Sequence, residues 1–286
     1  MTEAVIEHIE KSLGAPITRY EPLHGGDINR CFCLFSPDSR YFLKLNDADR
    51  FPQMFEKEAA GLDALRNGSG LTIPTVIQQG TVLGLQWLLL QWLEKETPGD
   101  LSLQHFGGKL AAMHRQAQPF FGWHTNNFIG SLPQVNTPHS NWADFYTVCR
   151  IMPLVKILFN NECFTKPDID LASSFCKKLV DFFPFEPPAL LHGDLWSGNY
   201  MITENGGAAL FDPAVYYGHR EMDIGMTKLF GGFGQSFYDA YHEKYPLEKG
   251  WTQRLPLTQL YPLLVHAVLF GAHYIETARQ VLKKWG

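Results

Sequence analysis

The sequence predicts an α+β protein of two lobes, a small β-rich lobe over residues 1–93 and a larger, mainly helical lobe over 94–286. Two observations carry this. Short apolar runs of strand length crowd the N-terminal part, with one helical pattern among them. After Thr97-Pro98-Gly99-Asp100 the periodicity becomes helical and stays so, interrupted mainly by strand and turn signals over 190–212. A mixed lobe followed by a helical lobe leaves a cleft between them, a common place for a small ligand.

Each element follows from local chemistry. Residues 1–13 form an amphipathic, charged helix stopped by Gly14 and Pro16. CFCLFS (31–36) and YFLKLN (41–46) read as strands, and the turn residues Pro37-Asp38-Ser39-Arg40 join them as a hairpin. In FEKEAAGLDALRNG (55–68), Phe55, Ala59, Leu62 and Leu65 fall at helical spacing, and Gly68 ends the run. TVLGLQWLLLQWLE (81–94) reads as two buried strands broken near Leu83-Gly84. LSLQHFGGKLAAMHRQ (101–116) is helical, and further helices are expected at 141–160, 168–183, 235–245 and 256–284. The stretch 119–140, with three Pro, reads as loop.

Composition excludes several functions. With 45% apolar and 19% charged residues the chain is globular, and a net charge of -5 without a polybasic run gives no footprint for nucleic acid. Cys31, Cys33, Cys149, Cys163 and Cys176 are odd in number and form no CxxC pair, which argues against a disulfide framework or a zinc site. The longest apolar stretch, residues 83–93, is too short to span a bilayer, and the first residues do not read as a signal peptide. A cytoplasmic protein with no membrane partner is expected.

The chemistry concentrates in HGDLWSGN (192–199). Asp194 and Asn199 stand at the Asp-x-x-x-x-Asn spacing of the protein-kinase catalytic loop. There an Asp takes or orients the proton of an attacking hydroxyl, and an Asn reaches a magnesium ion on the nucleotide. Asp212, in ALFDPA, adds a carboxylate at a strand end, suited to Mg2+. The plain alternative is a capped turn followed by a hairpin. Upstream, Lys44 lies within an apolar strand, where it either snorkels outward or points into a cleft toward phosphates. Glu58, on the helix that follows, would pair with it. Glu56 competes for that role, but Phe55, Ala59 and Leu62 flank position 58 more closely. Gly25 and Gly26, ahead of the hairpin, permit backbone N–H groups to approach a phosphate, or simply make a turn.

With these residues in view, HGDLWSGN closely resembles the signature of the fructosamine kinase (ketosamine 3-kinase) family, part of the aminoglycoside phosphotransferase and choline kinase group. The resemblance runs from about residue 20 to the C-terminus, through FLKLN, FEKEAAGL, FGWHTNNFIGSLPQ, FDPAVYYGHREMDIGMTKLFGGF and LYPLLVHAVLFGAHY in order. It implies a protein-kinase-like fold and ATP-dependent phosphorylation of a ketoamine at O3 of the sugar, after which the product falls apart and frees the amine. It implies Asp194 as the base, Asn199 and Asp212 as magnesium ligands, and Lys44 with Glu58 on the phosphates. It implies Gln91, Trp92 and Leu93 as the hinge that takes adenine. Asp212-Pro213-Ala214 fits the family's Asp-Pro-Ala.

Departures bear on specificity and regulation. Some relatives carry a cysteine in the glycine-rich loop, where this chain has Asp27, so redox control is not carried over. Relatives often show Asp before the Asn of the FGWHTNNFIG segment, where this chain has Asn126-Asn127. Asn127 and Trp196 are candidate acceptor contacts. His192 is expected to prop the catalytic loop, Asp223 to cap a helix or anchor that loop, and His114 to be a satisfied core histidine. Trp251 and Arg254 are read as loop residues that could approach the acceptor. The competing functions are a kinase for an aminoglycoside or choline hydroxyl, and a catalytically silent nucleotide-binding module.

Overall fold

The computed structural model describes residues 2–23 and 28–286. The small lobe opens with α1 (Glu3–Leu13), closed by Gly14, whose φ is 70° and whose N–H bonds to the Glu10 carbonyl. Five antiparallel strands follow: β1 (Arg19–Leu23), β2 (Arg30–Ser36), β3 (Ser39–Asp47), β4 (Val76–Val82) and β5 (Leu85–Gln91), in the order β1-β2-β3-β5-β4. Helix α2 (Met54–Ser69) lies between β3 and β4 in sequence. The predicted hairpin is β2–β3, and Leu83-Gly84, both at positive φ, turn β4 into β5.

Alternation along the strands divides the sheet. Phe32, Leu34, Leu43, Leu45, Trp87 and Leu89 pack with Val5 and Ile9 of α1. The opposite parity, including Leu88 and Leu90, packs with α2. Lys44 belongs to this second set, opposite Leu88 in the register, so the pleat aims it at α2 and not at solvent. Two readings need correction. β4 is a largely exposed edge strand, not a buried one, because it pairs with β5 alone. β1 was not foreseen; it is an exposed edge carrying Pro22, whose sequence lacks a buried face to announce it.

From Gln91 the chain crosses to β6 (Lys95–Glu96), which pairs with β10 (Tyr200–Thr203) and so stitches the link to the large lobe. Helix α3 (Asp100–His114) packs on α8 (Gln235–Lys244). The approach is close enough that a Cβ at Gly107 would lie 2.1 Å from the Phe237 carbonyl oxygen. The stretch 119–140 is not all loop: β7 (Asn127–Ile129) and β8 (Leu132–Gln134) form a hairpin. The helix expected at 141–160 is present as α4 (Trp142–Phe145), a π-helical turn (Tyr146–Ile151) and α5 (Met152–Asn160). Pro153 cannot donate to the Cys149 carbonyl one turn back, and that carbonyl accepts from the Arg150 guanidinium instead, at 3.1 Å.

Helix α6 (Lys166–Phe182) precedes β9 (Ala189–Leu191), then β10, β11 (Ala208–Leu210) and β12 (Tyr216–Gly218). Helices α7 (Glu221–Leu229), α8, α9 (Trp251–Phe270) and α10 (His273–Trp285) complete the lobe. The expected helix 256–284 is split at Gly271-Ala272, both at positive φ. It also begins earlier, so Trp251 and Arg254 sit in the first turn of α9 and not in a loop. Arg254 is held there by Glu221 through bonds of 2.8 and 2.5 Å, which removes it from any acceptor. Among the described residues no helix is long and apolar enough to cross a membrane.

Candidate active site

The lobes meet around Lys44. Its ammonium lies 2.7 Å from Glu58 on α2 and 2.5 Å from Asp212, which follows β11. Lys44 is 2% exposed, and burial alone would discharge it, but Asp212 and Glu58 outweigh that and raise its pKa. The lysine is therefore a fixed cation at the cleft. Glu56 points outward into solvent, as the spacing argument for Glu58 required.

Strand β9 delivers His192-Gly193-Asp194, and β12 pairs alongside it. Gly193 has a φ of 83°, and a Cβ there would meet the Ala214 carbonyl oxygen at 2.0 Å. Only glycine lets the loop run this close to the Asp212-Pro213-Ala214 segment. The Ala214 N–H in turn donates to the His192 carbonyl at 2.9 Å. Asn199 donates through Nδ2 to the Asp194 carbonyl at 2.9 Å and to its Oδ2 at 3.0 Å. That turns Asn199 Oδ1 away as a free acceptor. Burial, reinforced by the negative charge of Asp212, pushes the Asp194 carboxyl up to about 7.

Behind the loop sits Asp223, 1% exposed. Its two oxygens accept from the backbone N–H of His192 at 2.8 Å and of Gly193 at 2.9 Å, and His114 Nε2 lies 3.2 Å away. Burial opposes its charge, yet the hydrogen bonds from His114 and the backbone hold its carboxyl below the usual range. Asp223 is thus a loop anchor within α7 and caps no helix. His114 completes its second bond with the Tyr241 hydroxyl at 2.8 Å, as a satisfied core histidine does. His192 is kept neutral by burial, which lowers its pKa. Its Nδ1 accepts from the Asp194 N–H at 3.2 Å and its Nε2–H donates to the Phe211 carbonyl at 3.0 Å, so it props the loop.

A cavity of about 600 Å3 gathers Lys44, Glu58, Asn127, Asp194, Trp196, Asn199 and Asp212 in its lining. Asn127 stands apart among them. It is buried, donates to the Val215 carbonyl at 2.9 Å and accepts from Gln134 and Asn136, both at 2.8 Å. These bonds make it a brace beneath the Asp-Pro-Ala segment, and it also lines the cavity. Trp196 is 38% exposed and presents its ring to the cavity beside Phe230. Gln91, Trp92 and Leu93 lie at the lobe crossing, outside this lining. Among the described residues the backbone polar groups of Trp92 and Leu93 have no hydrogen-bond partner. Gly25 and Gly26 lie outside the described residues. Cys31 and Cys33 are free and buried, and burial raises their pKa, as expected of small hydrophobes.

Sequence reasoning missed the far end of the cavity. Phe230, His266, Phe270 and Tyr274 line it, with His266 at 5.1, 5.5 and 4.9 Å from the other three ring centroids respectively. Lys57 of α2 lines it too. His266 and Phe270 lie in α9 and Tyr274 in α10, but the sequence reads through them as one apolar helical stretch, and nothing local distinguishes them from core residues.

The donor set suits magnesium bound with a nucleotide. Asp212 has one oxygen beyond its bond to Lys44, and among the described residues Asn199, in the same lining, spends only its Nδ2 on side-chain hydrogen bonds, to Asp194. Among the described residues no cluster of three His, Cys, Asp or Glu could hold a metal alone. Two oxygens supplemented by phosphates and water are what Mg2+ typically takes.

Known proteins are similar to this chain over nearly its whole length. The sequence profile described as fructosamine kinase matches residues 1–285. A protein of Synechocystis sp. named a probable ketoamine kinase is 39% identical over 99% of this chain and 96% of its own. A chloroplastic protein-ribulosamine 3-kinase of Oryza sativa subsp. japonica is 34% identical over 93% of this chain and 78% of its own. A crystal structure from Thermobifida fusca, provisionally named a fructosamine-3-kinase, superposes with a TM-score of 0.90 at 33% identity, covering 99% of this chain and 98% of that one.

Proposed function

Because this chain belongs to the fructosamine kinase family, we propose that it transfers the γ-phosphoryl group of ATP to O3 of a ketosamine, a ribulosamine or a fructosamine, in protein deglycation. The observation that carries the reading is the convergence of Lys44, Glu58 and Asp212 from two lobes beside the Asp194–Asn199 loop.

In this reading Lys44, held by Glu58, meets the α- and β-phosphates, and the backbone of Gln91, Trp92 and Leu93 takes the adenine edge. Gly25 and Gly26 belong to the phosphate loop. Asn199 and Asp212 would hold magnesium, which neutralises phosphate charge and orients the transferred group. The acceptor hydroxyl lies against Trp196 and donates a hydrogen bond to the Asp194 carboxylate. Its oxygen bonds to the γ-phosphorus as the bond to the leaving oxygen of ADP breaks, and the proton passes to the Asp194 carboxylate. A carboxylate with a pKa of about 7 is matched to this task. No phosphoenzyme forms; positioning and charge neutralisation do most of the work. The free cysteines fit a reducing, cytoplasmic setting.

Two features favour a ketosamine over an aminoglycoside. The far end of the cavity is largely aromatic, and among the described residues the cavity's carboxylates are Glu58, Asp194 and Asp212, each already bonded to Lys44 or Asn199, which leaves none apart from them to receive a polycation. The complete set Lys44, Glu58, Asp194, Asn199 and Asp212 disfavours a silent module, which needs no base. ADP release from MgATP with ribulose-lysine, fructose-lysine, choline and kanamycin tests the reading. Stimulation by the ketoamines supports it; stimulation by kanamycin or choline alone assigns a different acceptor.

A further inference from the structure

The cleft holds a second ammonium besides that of Lys44. Lys57 lines the cavity one residue before Glu58, with its ammonium 5.1 Å from the Phe128 ring centroid. Among the described residues it has no carboxylate within 4.0 Å. Its own helix offers none: positions three and four away are Gln53, Met54, Ala60 and Gly61. Of the cavity's carboxylates, Glu58 and Asp212 are bonded to Lys44, and Asp194 is bonded to Asn199. The rest of the far wall is uncharged: Phe128, Phe230, Phe270, Tyr274 and His266, whose Nδ1–H is spent on the Pro262 carbonyl at 2.7 Å.

A half-buried ammonium over an aromatic face has given up part of its hydration and, among the described residues, has no carboxylate within 4.0 Å. A ligand that supplies the anion recovers that cost and is selected over a neutral isostere. We infer that Lys57 is a specificity-determining residue that receives an anionic group on the acceptor, so that the preferred ketoamine carries a carboxylate on its amine side or a phosphate on its sugar. This rests on the ketosamine kinase reading above and narrows its substrate class.

The test uses the purified chain and three acceptors built on the ketose that the acceptor panel favours. They are its adducts with β-alanine and with β-alaninamide, which differ by one charge, and the sugar-phosphorylated adduct of β-alaninamide. The wild type should turn over one of the charged adducts with a kcat/KM about tenfold above the neutral one, mainly through KM. Which one it favours identifies the source of the anion. Lys57→Met should bring that ratio to about one, Lys57→Glu should invert it, and Lys57→Arg should keep it, which also shows that the helix tolerates substitution here. Equal rates on all three in the wild type would overturn the inference. So would a Lys57→Met variant that keeps the ratio but raises the KM for ATP, since the ammonium would then serve the nucleotide. An acceptor panel in which no ketoamine is turned over would sink the kinase reading itself, and this inference with it; turnover of none of the three adducts, or of the neutral adduct without discrimination, sinks the inference alone.

Discussion

Lys44 of the small lobe and Asp212 of the large lobe are joined by an ion pair of 2.5 Å, so the two halves of the site are locked to one another through a single ammonium. Glu58 holds the same ammonium from α2, at 2.7 Å. Removing the cation leaves Glu58 facing Asp212 with nothing between them. Lys44→Met should therefore lower kcat/KM by about 100-fold or more. It should also cost about 3–5 kcal/mol of stability, because it strands a buried carboxylate. Steady-state kinetics and urea unfolding check the two halves separately. Near-native activity would show that the lysine only snorkels along the strand.

Asp194→Asn should cut turnover by about 10²–10⁴-fold while leaving ATP binding nearly intact, since the amide keeps the geometry but takes no proton. Isothermal titration with ATP beside a turnover assay reads both. A variant retaining most of its turnover would remove Asp194 from the role of base.

The same substitution has a stability signature. Burial raises the folded pKa of Asp194 from the ordinary 3.8 to about 7. A carboxyl shifted upward costs nothing below its unfolded value, where it is protonated in both states. Its cost develops as pH rises from 3.8 toward about 7 and is constant above. Asp194→Asn should accordingly become more stable than the wild type as pH rises through that window. A difference in urea midpoint that stays flat from pH 4 to pH 8 would deny the shift.

Asp223 touches no reacting atom but accepts both N–H groups at the head of the catalytic loop. Asp223→Ala should unfold more readily and lose kcat with little change in the KM for ATP. If kcat survived in folded protein, the loop would be held by β9 and β12 alone.

Gly193→Ala should be worse tolerated than its size suggests, because the new Cβ would lie 2.0 Å from the Ala214 carbonyl oxygen at a φ of 83°. We expect loss of soluble protein or a large fall in Tm, measured by thermal unfolding. A stable, active variant would mean that the two segments can separate.

What the sequence made legible was local. YFLKLN put Lys44 on an apolar strand while leaving its direction open, helical spacing preferred Glu58 to Glu56, and the Asp-x-x-x-x-Asn spacing put Asn199 near Asp194. Each of these needs only a few neighbouring residues. The bracing role of Asn127 escaped because its partners, Gln134, Asn136 and Val215, come from a hairpin hidden in a Pro-rich stretch and from the segment after Asp212. The aromatic wall escaped for a similar reason: Trp196, Phe230, His266 and Tyr274 converge only when β9, α7, α9 and α10 are packed. Asp223 could be read either as a cap or as an anchor because the atoms it serves lie 30 residues and more upstream.

The central claim is phosphoryl transfer to a ketoamine. Phosphorus NMR of the purified protein with MgATP and ribulose-lysine or fructose-lysine tests it most directly. The account predicts ADP together with a new phosphate monoester on the sugar, at O3, absent without acceptor and reduced by orders of magnitude in Asp194→Asn. ATP that binds but stays intact with either ketoamine would contradict it.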